Sequence, residues 1–273
     1  MEIALEWWLA YLALGIVVGF FAGLFGIGGG LIMVPVLTFL FTAQHFPPEK
    51  TLHLALGTAM ACIAFTALSS LRTHHIYTAV NWSVVKHLTP GIVLGTLLGS
   101  TLASLAPARP LGIFFALFVF FAATQSLLDV KPKASRSLPG KLGMWAVGGI
   151  IGGISSMVSI GGGLMTIPFL TFCNVSLRHA IGTAAAVGFP IAVAGAIGYA
   201  ANGMMYAAAM PDQLPAHSLG YIYLPALGGI VLTSVLTASL GAKTTHVLPT
   251  KVLKKVFAVF LYVLATKMLI GLL

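Results

Sequence analysis

Charged residues are scarce in this chain, and acidic residues are the scarcest. Only 7% of the 273 residues are Asp, Glu, Lys or Arg, and five are acidic, whereas about 25% are charged in ordinary soluble domains. Cysteine is nearly absent: Cys62 and Cys173 lie in separate apolar runs, which argues against a disulfide or zinc framework. With 59% hydrophobic residues, so few charges cannot cover a water-facing surface. The chain is predicted to be an all-α polytopic membrane protein.

The sequence repeats itself after 133 residues. Residues 15–39 and 148–172 are identical at eleven of twenty-five aligned positions. We therefore divide the chain into a first repeat at 1–128, a polar linker at 129–141 and a second repeat at 142–273.

Each repeat contains five apolar segments, which we predict to be helical. Their predicted bounds are 7–25, 31–42, 51–71, 82–105 and 110–128, followed by 141–158, 164–172, 177–200, 219–240 and 251–272. Segment 31–42 would extend only ~18 Å, about half the thickness of a bilayer core. We expect a short broken or re-entrant helix at each Gly-Gly-Gly motif.

The basic residues predict the orientation in the membrane. If the segments alternate sides from an outside N-terminus, eleven of the fourteen Lys and Arg residues fall in inside loops, and Lys50, Arg109 and Lys267 remain. This bias places the linker in the cytoplasm. Because each repeat has an odd number of segments, the second repeat is predicted to be inverted. The net charge of +9 then reports topology and not a nucleic-acid partner.

Inverted repeats with interrupted helices are typical of secondary transporters, whose helix ends line the substrate site. A helix that starts after a triple glycine offers unpaired N–H groups to an anion. The alternative is that the glycines only allow helices to pack closely. We favour packing for the glycines spaced four residues apart, and a ligand-lining break for the two triple glycines. The packing group comprises Gly15, Gly19, Gly23, Gly148 and Gly152.

Several polar residues near the glycine motifs are candidate ligands. Thr58 and Thr183 would bind a ligand or bond back to the preceding turn, and Asn174 would either cap its helix or coordinate. Arg178 would anchor at the interface or attract an anion. The candidate substrate-binding residues are Gly28, Gly29, Gly30, Thr58, Ser159, Gly161, Gly162, Gly163, Asn174 and Thr183.

The sequence gives little support to a cation carrier or an enzyme. All five acidic residues fall at segment ends or in loops, whereas cation carriers generally need a buried carboxylate. Ser155 and Ser156 do not form the nucleophile elbow of a serine hydrolase. We expect no catalytic residues, no metal site and no cofactor.

Residues 23–35, with the sequence GLFGIGGGLIMVP, and their repeat IGGGLMTIP at 160–168 resemble the motif of the TauE/SafE family of sulfite exporters. The resemblance implies a multi-pass permease of the plasma (inner) membrane that exports sulfite or related sulfur oxoanions and organosulfonates by alternating access. Its expected partners are a small anionic substrate and the lipid bilayer. A carrier of another anion such as a carboxylate, and a membrane anion sensor, are the alternatives. Whether a proton or a sodium ion is coupled to transport, and whether the chain forms a homo-oligomer, are left open.

Overall fold

A computed structural model describes residues 4–25, 28–128, 135–210, 213–244 and 250–272. Within these ranges the chain forms ten helices and one two-stranded hairpin. The helices are α1 (Leu5–Phe25), α2 (Gly30–Ala43), α3 (Pro48–Ile76), α4 (Trp82–Leu105), α5 (Ala108–Leu128), α6 (Lys141–Met157), α7 (Gly163–Phe172), α8 (Leu177–Ala209), α9 (Leu224–Thr244) and α10 (Thr250–Leu272). The strands β1 (Ser218–Leu219) and β2 (Ile222–Tyr223) pair antiparallel between α8 and α9.

The helices confirm the prediction of an all-α polytopic membrane protein. Among the described residues, six helices are long and apolar enough to cross a bilayer: α1, α3, α4, α5, α8 and α9. Large apolar side chains also point outward along them; Leu105 is 77% exposed and Leu98 is 67% exposed. Such a surface is stable against lipid and not against water.

The predicted first and second repeats, called the two repeats below, pack against each other reciprocally. Helix α1 packs on α9, and the corresponding helix of the second repeat, α6, packs on α4. The two long helices α3 and α8 contact each other between these pairs, and α5 contacts α10. The first helix of each half thus packs on the fourth helix of the other half.

Small residues allow these pairs to approach closely. A Cβ added to Gly19 would collide with the carbonyl oxygen of Ser234, and one added to Gly152 would collide with the carbonyl oxygen of Ile92. Similar collisions occur at the remaining members of the spaced group. The packing interpretation of Gly15, Gly19, Gly23, Gly148 and Gly152 is therefore confirmed.

The short helices lie at the predicted places. Helix α2 has 14 residues and α7 has 10, so they extend only about 21 and 15 Å. Each ends in a residue with positive φ, His45 after α2 and Asn174 after α7. The N–H groups of these residues and of their successors bond back to the last turn, which is the pattern of a Schellman motif.

Three predicted boundaries were wrong by five residues or more, and one of them is the end of α3, which lies at Ile76 and not at residue 71. We predicted a helix over 219–240, but residues 218–223 form the hairpin, and α9 begins only at Leu224. Gly220, with φ of 57°, permits the turn, and Pro225 is suited to the first turn of the helix that follows. Helix α8 continues to Ala209 and not to residue 200, because residues 201–209 are mostly alanine and methionine, which favour a helix.

The predicted linker lies partly outside the described residues. Of its described part, residues 135–140 are not helical. The N–H groups of Ser135 and Arg136 bond to the carbonyl oxygen of Phe172, so this segment contacts the end of α7. The division into two repeats stays a prediction.

Candidate substrate cavity

The two glycine motifs meet inside the protein. Gly28 and Gly29 follow α1 with φ angles of 82° and 75°, which residues with a side chain rarely adopt. A Cβ on Gly28 would lie 2.9 Å from the backbone nitrogen of Gly161, and a Cβ on Gly30 would collide with the carbonyl oxygen of Ser159. The breaks between α1 and α2 and between α6 and α7 are therefore in contact.

Ser159 fixes the second break to α3. It has a φ of 47° and is fully buried, and its hydroxyl donates to the carbonyl oxygen of Leu56 at 2.8 Å. Because this proton is already donated, Ser159 holds the break in place and does not face the cavity described below.

A cavity of about 360 Å³ lies against the meeting point of the two breaks. Gly28, Gly161 and Gly162 line its inner end. Its walls come from the C-terminal half of α3, the first turns of α8 and the ends of α1 and α9. Tyr77 and Arg178 also line it. The cavity thus lies toward the end of α3 that carries Arg72, the side that the basic residues predict to be cytoplasmic.

Donor groups dominate the polar lining. Arg178 is exposed, and its Nη2 donates to the carbonyl oxygen of Tyr77 at 2.9 Å, which leaves further guanidinium N–H groups for a ligand. The carbonyl oxygens of Ser69 and His74 accept hydrogen bonds from Thr73 and Ala79, but within the described part of the chain the hydroxyls of Ser69 and Ser70 and the ring of His74 have no hydrogen-bond partner. Among the described residues, no Asp or Glu lines the cavity. The charge of this cavity is therefore positive.

Neither short helix has a side-chain cap at its start. Gly29 is the N-cap of α2 and Gly162 that of α7, and neither can supply a capping side chain. The first-turn N–H groups of both helices are therefore uncapped by side chains, and both helix starts carry partial positive charge. Of these two caps, Gly162 lines the cavity.

Thr58 and Thr183 make equivalent contacts between the repeats. The Thr183 hydroxyl accepts from the backbone N–H of Asn81 at 3.0 Å, and the Thr58 hydroxyl accepts from that of Tyr223 at 2.9 Å. Asn81 and Tyr223 directly precede α4 and α9. Both threonines are fully buried, and neither lines the cavity.

The glycine before each threonine completes this contact. A Cβ on Gly182 would collide with the carbonyl oxygen of Ala79, and a Cβ on Gly57 would collide with that of Tyr221. Each Gly-Thr pair thus contacts a backbone segment from a distant part of the chain. A carbonyl oxygen of that segment packs against the glycine, and an N–H group donates to the threonine hydroxyl. The alternatives from the sequence, a ligand bond or a bond to the preceding turn, did not include this arrangement.

The remaining candidates lie apart from the cavity lining. Gly29, Gly30 and Gly163 lie behind its inner end and are not among its lining residues. Asn174 is exposed and forms the Schellman end of α7, a capping position. Sequence reasoning did not select Ser69, Ser70 and His74, although the polar residues interrupting the apolar run of α3 were a usable signal.

Comparison with known proteins gives the family. The family model described as "Sulfite exporter TauE/SafE" matches residues 11–268. A "Probable membrane transporter protein" of Haemophilus influenzae is 37% identical over 95% of this chain and 97% of its own. A "Probable membrane transporter protein YdhB" of Bacillus subtilis is 29% identical over 93% and 94% of the two chains. A "Probable membrane transporter protein MJ0441" of Methanocaldococcus jannaschii is 27% identical over 99% and 100%.

No solved structure gives a significant match to the chain. The assignment therefore depends on the sequence match, which covers both glycine motifs, both Gly-Thr pairs and at least part of all ten helices. The matched range begins within α1 and ends within α10, and a match of this extent shows that the chain is a member of the sulfite exporter TauE/SafE family.

Proposed function

We propose that this protein is a secondary transporter that exports sulfite or a related sulfur oxoanion or organosulfonate across the inner membrane. The observation that carries the proposal is the cavity floored by both glycine breaks, with Arg178 at its side and no carboxylate in its lining. The three relatives described above are named as probable membrane transporter proteins, which supports transport as the activity. The role of the protein is movement of the anion and not its chemical conversion.

The cavity suits a small anion on electrostatic grounds. A guanidinium group can form paired hydrogen bonds with an oxyanion, and Arg178 keeps free N–H groups beside the cavity. At the inner end, the backbone of Gly28, Gly161 and Gly162 can be approached closely because these residues lack a Cβ. Ser69 and Ser70 add hydroxyl groups without protein partners. We propose that the anion passes from Arg178 to the glycine floor.

The opposite side of the glycine breaks is closed. Tyr199 and Met60 are fully buried, and the Tyr199 hydroxyl donates to the carbonyl oxygen of Ser156 at 2.9 Å. A Cβ on Gly195 would lie 3.0 Å from the sulfur of Met60. This state is open toward one side only, as one step of alternating access requires. The reciprocal packing of the helices supports an inverted-repeat arrangement in which the other state opens the opposite side.

The other candidate residues are proposed to support the cavity from behind. Ser159, Thr58 and Thr183 use their hydroxyls on protein groups in this state, and Gly29, Gly30 and Gly163 allow the two breaks to approach. Movement between states would change these contacts, because they connect the two repeats. A proton or sodium gradient would supply the driving force for export.

A flux assay with two glycine variants tests the proposal. Purified protein is reconstituted in liposomes, and the initial rate of sulfite movement is measured against sulfite concentration. Wild-type protein should show saturable flux. In Gly162→Leu the new side chain would press against Val187 and Ile191 of α8, which a Cβ at Gly162 already meets at 3.3 and 3.1 Å; this should displace the floor of the cavity and abolish flux. Gly228→Leu is the matched control, since a Cβ there meets no atom within 4 Å.

Flux that stays at the level of empty liposomes for folded wild-type protein would reject the transporter proposal. Equal flux of Gly162→Leu and wild type would remove the glycine floor from the transport path. Competition by chloride, sulfate and taurine, applied in the same assay, ranks the anion classes.

A further inference from the structure

A second and larger cavity lies at the opposite end of α3. It is a groove of about 980 Å³ framed by α2, the first turns of α3, the turn between α4 and α5, and the C-terminal half of α10. Its apolar lining includes Val36, Phe39, Leu264 and Met268. Phe39 is 56% exposed, so the groove borders the lipid-facing surface and is distinct from the cavity at the glycine breaks.

Three cationic residues line this groove. Lys50, Arg109 and Lys267 line it, and Glu49 is the one acidic residue among its lining residues. The Lys267 ammonium lies 4.2 Å from the centroid of the Phe39 ring, and the Lys50 ammonium lies 4.0 Å from that of Tyr206. No ion pair between these groups and an acidic side chain is found in the described ranges. The groove therefore has an excess of positive charge.

A buried histidine at the groove has an unused nitrogen. His53 lines the groove and is only 1% exposed. Its Nε2 lies 3.1 Å from the carbonyl oxygens of both Ala103 and Ala106, and carbonyl oxygens only accept, so Nε2 carries the hydrogen. The Nδ1 atom makes no hydrogen bond that meets the distance and angle criteria within the described residues, although the backbone of Glu49 also lies close to the ring. A neutral His53 thus offers an acceptor to a ligand hydroxyl.

The lining distinguishes among possible occupants. A free oxoanion would leave the apolar floor uncovered, and a second copy of this chain would bring like charges together. An amphiphile with a negative head group covers both parts at once. General anchoring of basic residues at the membrane interface does not account for a shaped groove with an unpartnered buried nitrogen.

We propose that this groove binds an anionic glycerophospholipid. The phosphate lies between Arg109 and Lys267, an acyl chain lies along Phe39 and Met268, and a head-group hydroxyl, such as that of phosphatidylglycerol, reaches toward His53. The leaflet is the one at the N-terminal end of α3. The basic residues at the rim of the groove complement the charge of the phosphate, and the apolar residues on its floor contact the acyl chain.

Native mass spectrometry of the delipidated full chain tests this site. The probes are phosphatidylglycerol, phosphatidylcholine with the same acyl chains, and inorganic phosphate. Each basic residue near a membrane surface contributes about a five-fold gain in affinity for anionic lipid. The double variant Arg109→Gln and Lys267→Met should therefore bind phosphatidylglycerol about 25-fold more weakly than wild type. Both side chains are exposed, so their replacement should leave the fold intact.

Lys86→Met is the control, because Lys86 is exposed and does not line the groove; its lipid binding should equal that of wild type. Equal binding of the two lipids, or an unchanged affinity in the double variant, would overturn the proposal. Displacement of the lipid by inorganic phosphate would overturn it in favour of a free-anion site, and dimers in place of lipid adducts would overturn it in favour of a protein interface.

Discussion

The backbone N–H of Asn81 donates to the hydroxyl of Thr183 at 3.0 Å, and this contact connects the start of α4 in one repeat to α8 in the other. In the equivalent contact, the backbone N–H of Tyr223 donates to the hydroxyl of Thr58 at 2.9 Å and connects the start of α9 to α3. These two hydrogen bonds and the glycine beside each threonine hold the halves together close to the breaks.

We expect Thr183→Val to destabilise the protein. Valine has the same shape but leaves the N–H of Asn81 without its acceptor, and an unpaired buried donor costs about 1–3 kcal/mol. The melting temperature in detergent should fall, and Thr183→Ser should restore most of the loss. A normal melting temperature for Thr183→Val, combined with a raised KM for sulfite, would instead assign the hydroxyl to the substrate.

Gly188→Ala probes the floor of the cavity without disturbing the fold. A Cβ at Gly188 would lie 3.4 Å from the backbone nitrogen of Gly162, which is an ordinary contact distance. The added methyl group should shield the Gly162 N–H, so KM should rise several-fold while the melting temperature stays the same. Gly228→Ala, which adds the same group where a Cβ has no neighbour, should change neither value.

Arg178→Gln should weaken transport through loss of charge. A charged hydrogen bond contributes about 1.5–3 kcal/mol, so kcat/KM for sulfite should fall by about ten-fold or more. Arg72→Gln is the matched control, since Arg72 is also exposed near the end of α3 but does not line the cavity. If both variants lose activity equally, Arg178 acts only as one of several surface charges.

The closed side differs in composition from the open side. With Thr58 aligned to Thr183, Tyr199 corresponds to His74 and Met60 to Ala185, so on the proposed closed side each of these bulky residues takes the position of a residue that lines the cavity. In a chain with both native cysteines replaced by alanine, Ser70→Cys should react with an impermeant thiol reagent added on the side of Arg72. Met60→Cys should react only from the opposite side and only during turnover.

Labelling of Met60→Cys from the side of Arg72 would contradict this arrangement of the gate. So would equal labelling with and without sulfite. The melting temperature of each variant provides the check that the side chains pack as they do in the native protein.

Much of the fold could be predicted because hydropathy and glycine positions report on packing in a membrane. The start of α2 at Gly30 and of α7 at Gly163 each fell one residue from the prediction, since a triple glycine interrupts a helix in any context. The hairpin at residues 218–223 was missed because its apolar residues have the composition of a membrane helix. Only Gly220 and Pro225 indicated that the backbone turns there.

The candidate site was less predictable, because it depends on which groups meet in space. The sequence pointed to Gly28, Gly161 and Gly162, which do line the cavity. It could not assign Thr58 and Thr183, since their partners Tyr223 and Asn81 are more than a hundred residues away. To predict Ser70 and His74, one must know which side of α3 faces the cavity, and the weak apolar periodicity of that helix does not define this side.

The most direct test of the central claim is counterflow of labelled sulfite in proteoliposomes preloaded with unlabelled sulfite. The wild-type protein should transiently accumulate label above its outside concentration, because a carrier exchanges substrate at a site that opens to each side in turn. Arg178→Gln and Gly162→Leu should lose this overshoot, and Gly228→Leu should keep it. Tight binding of sulfite to the wild-type protein without any exchange would contradict the carrier account and identify an anion sensor instead.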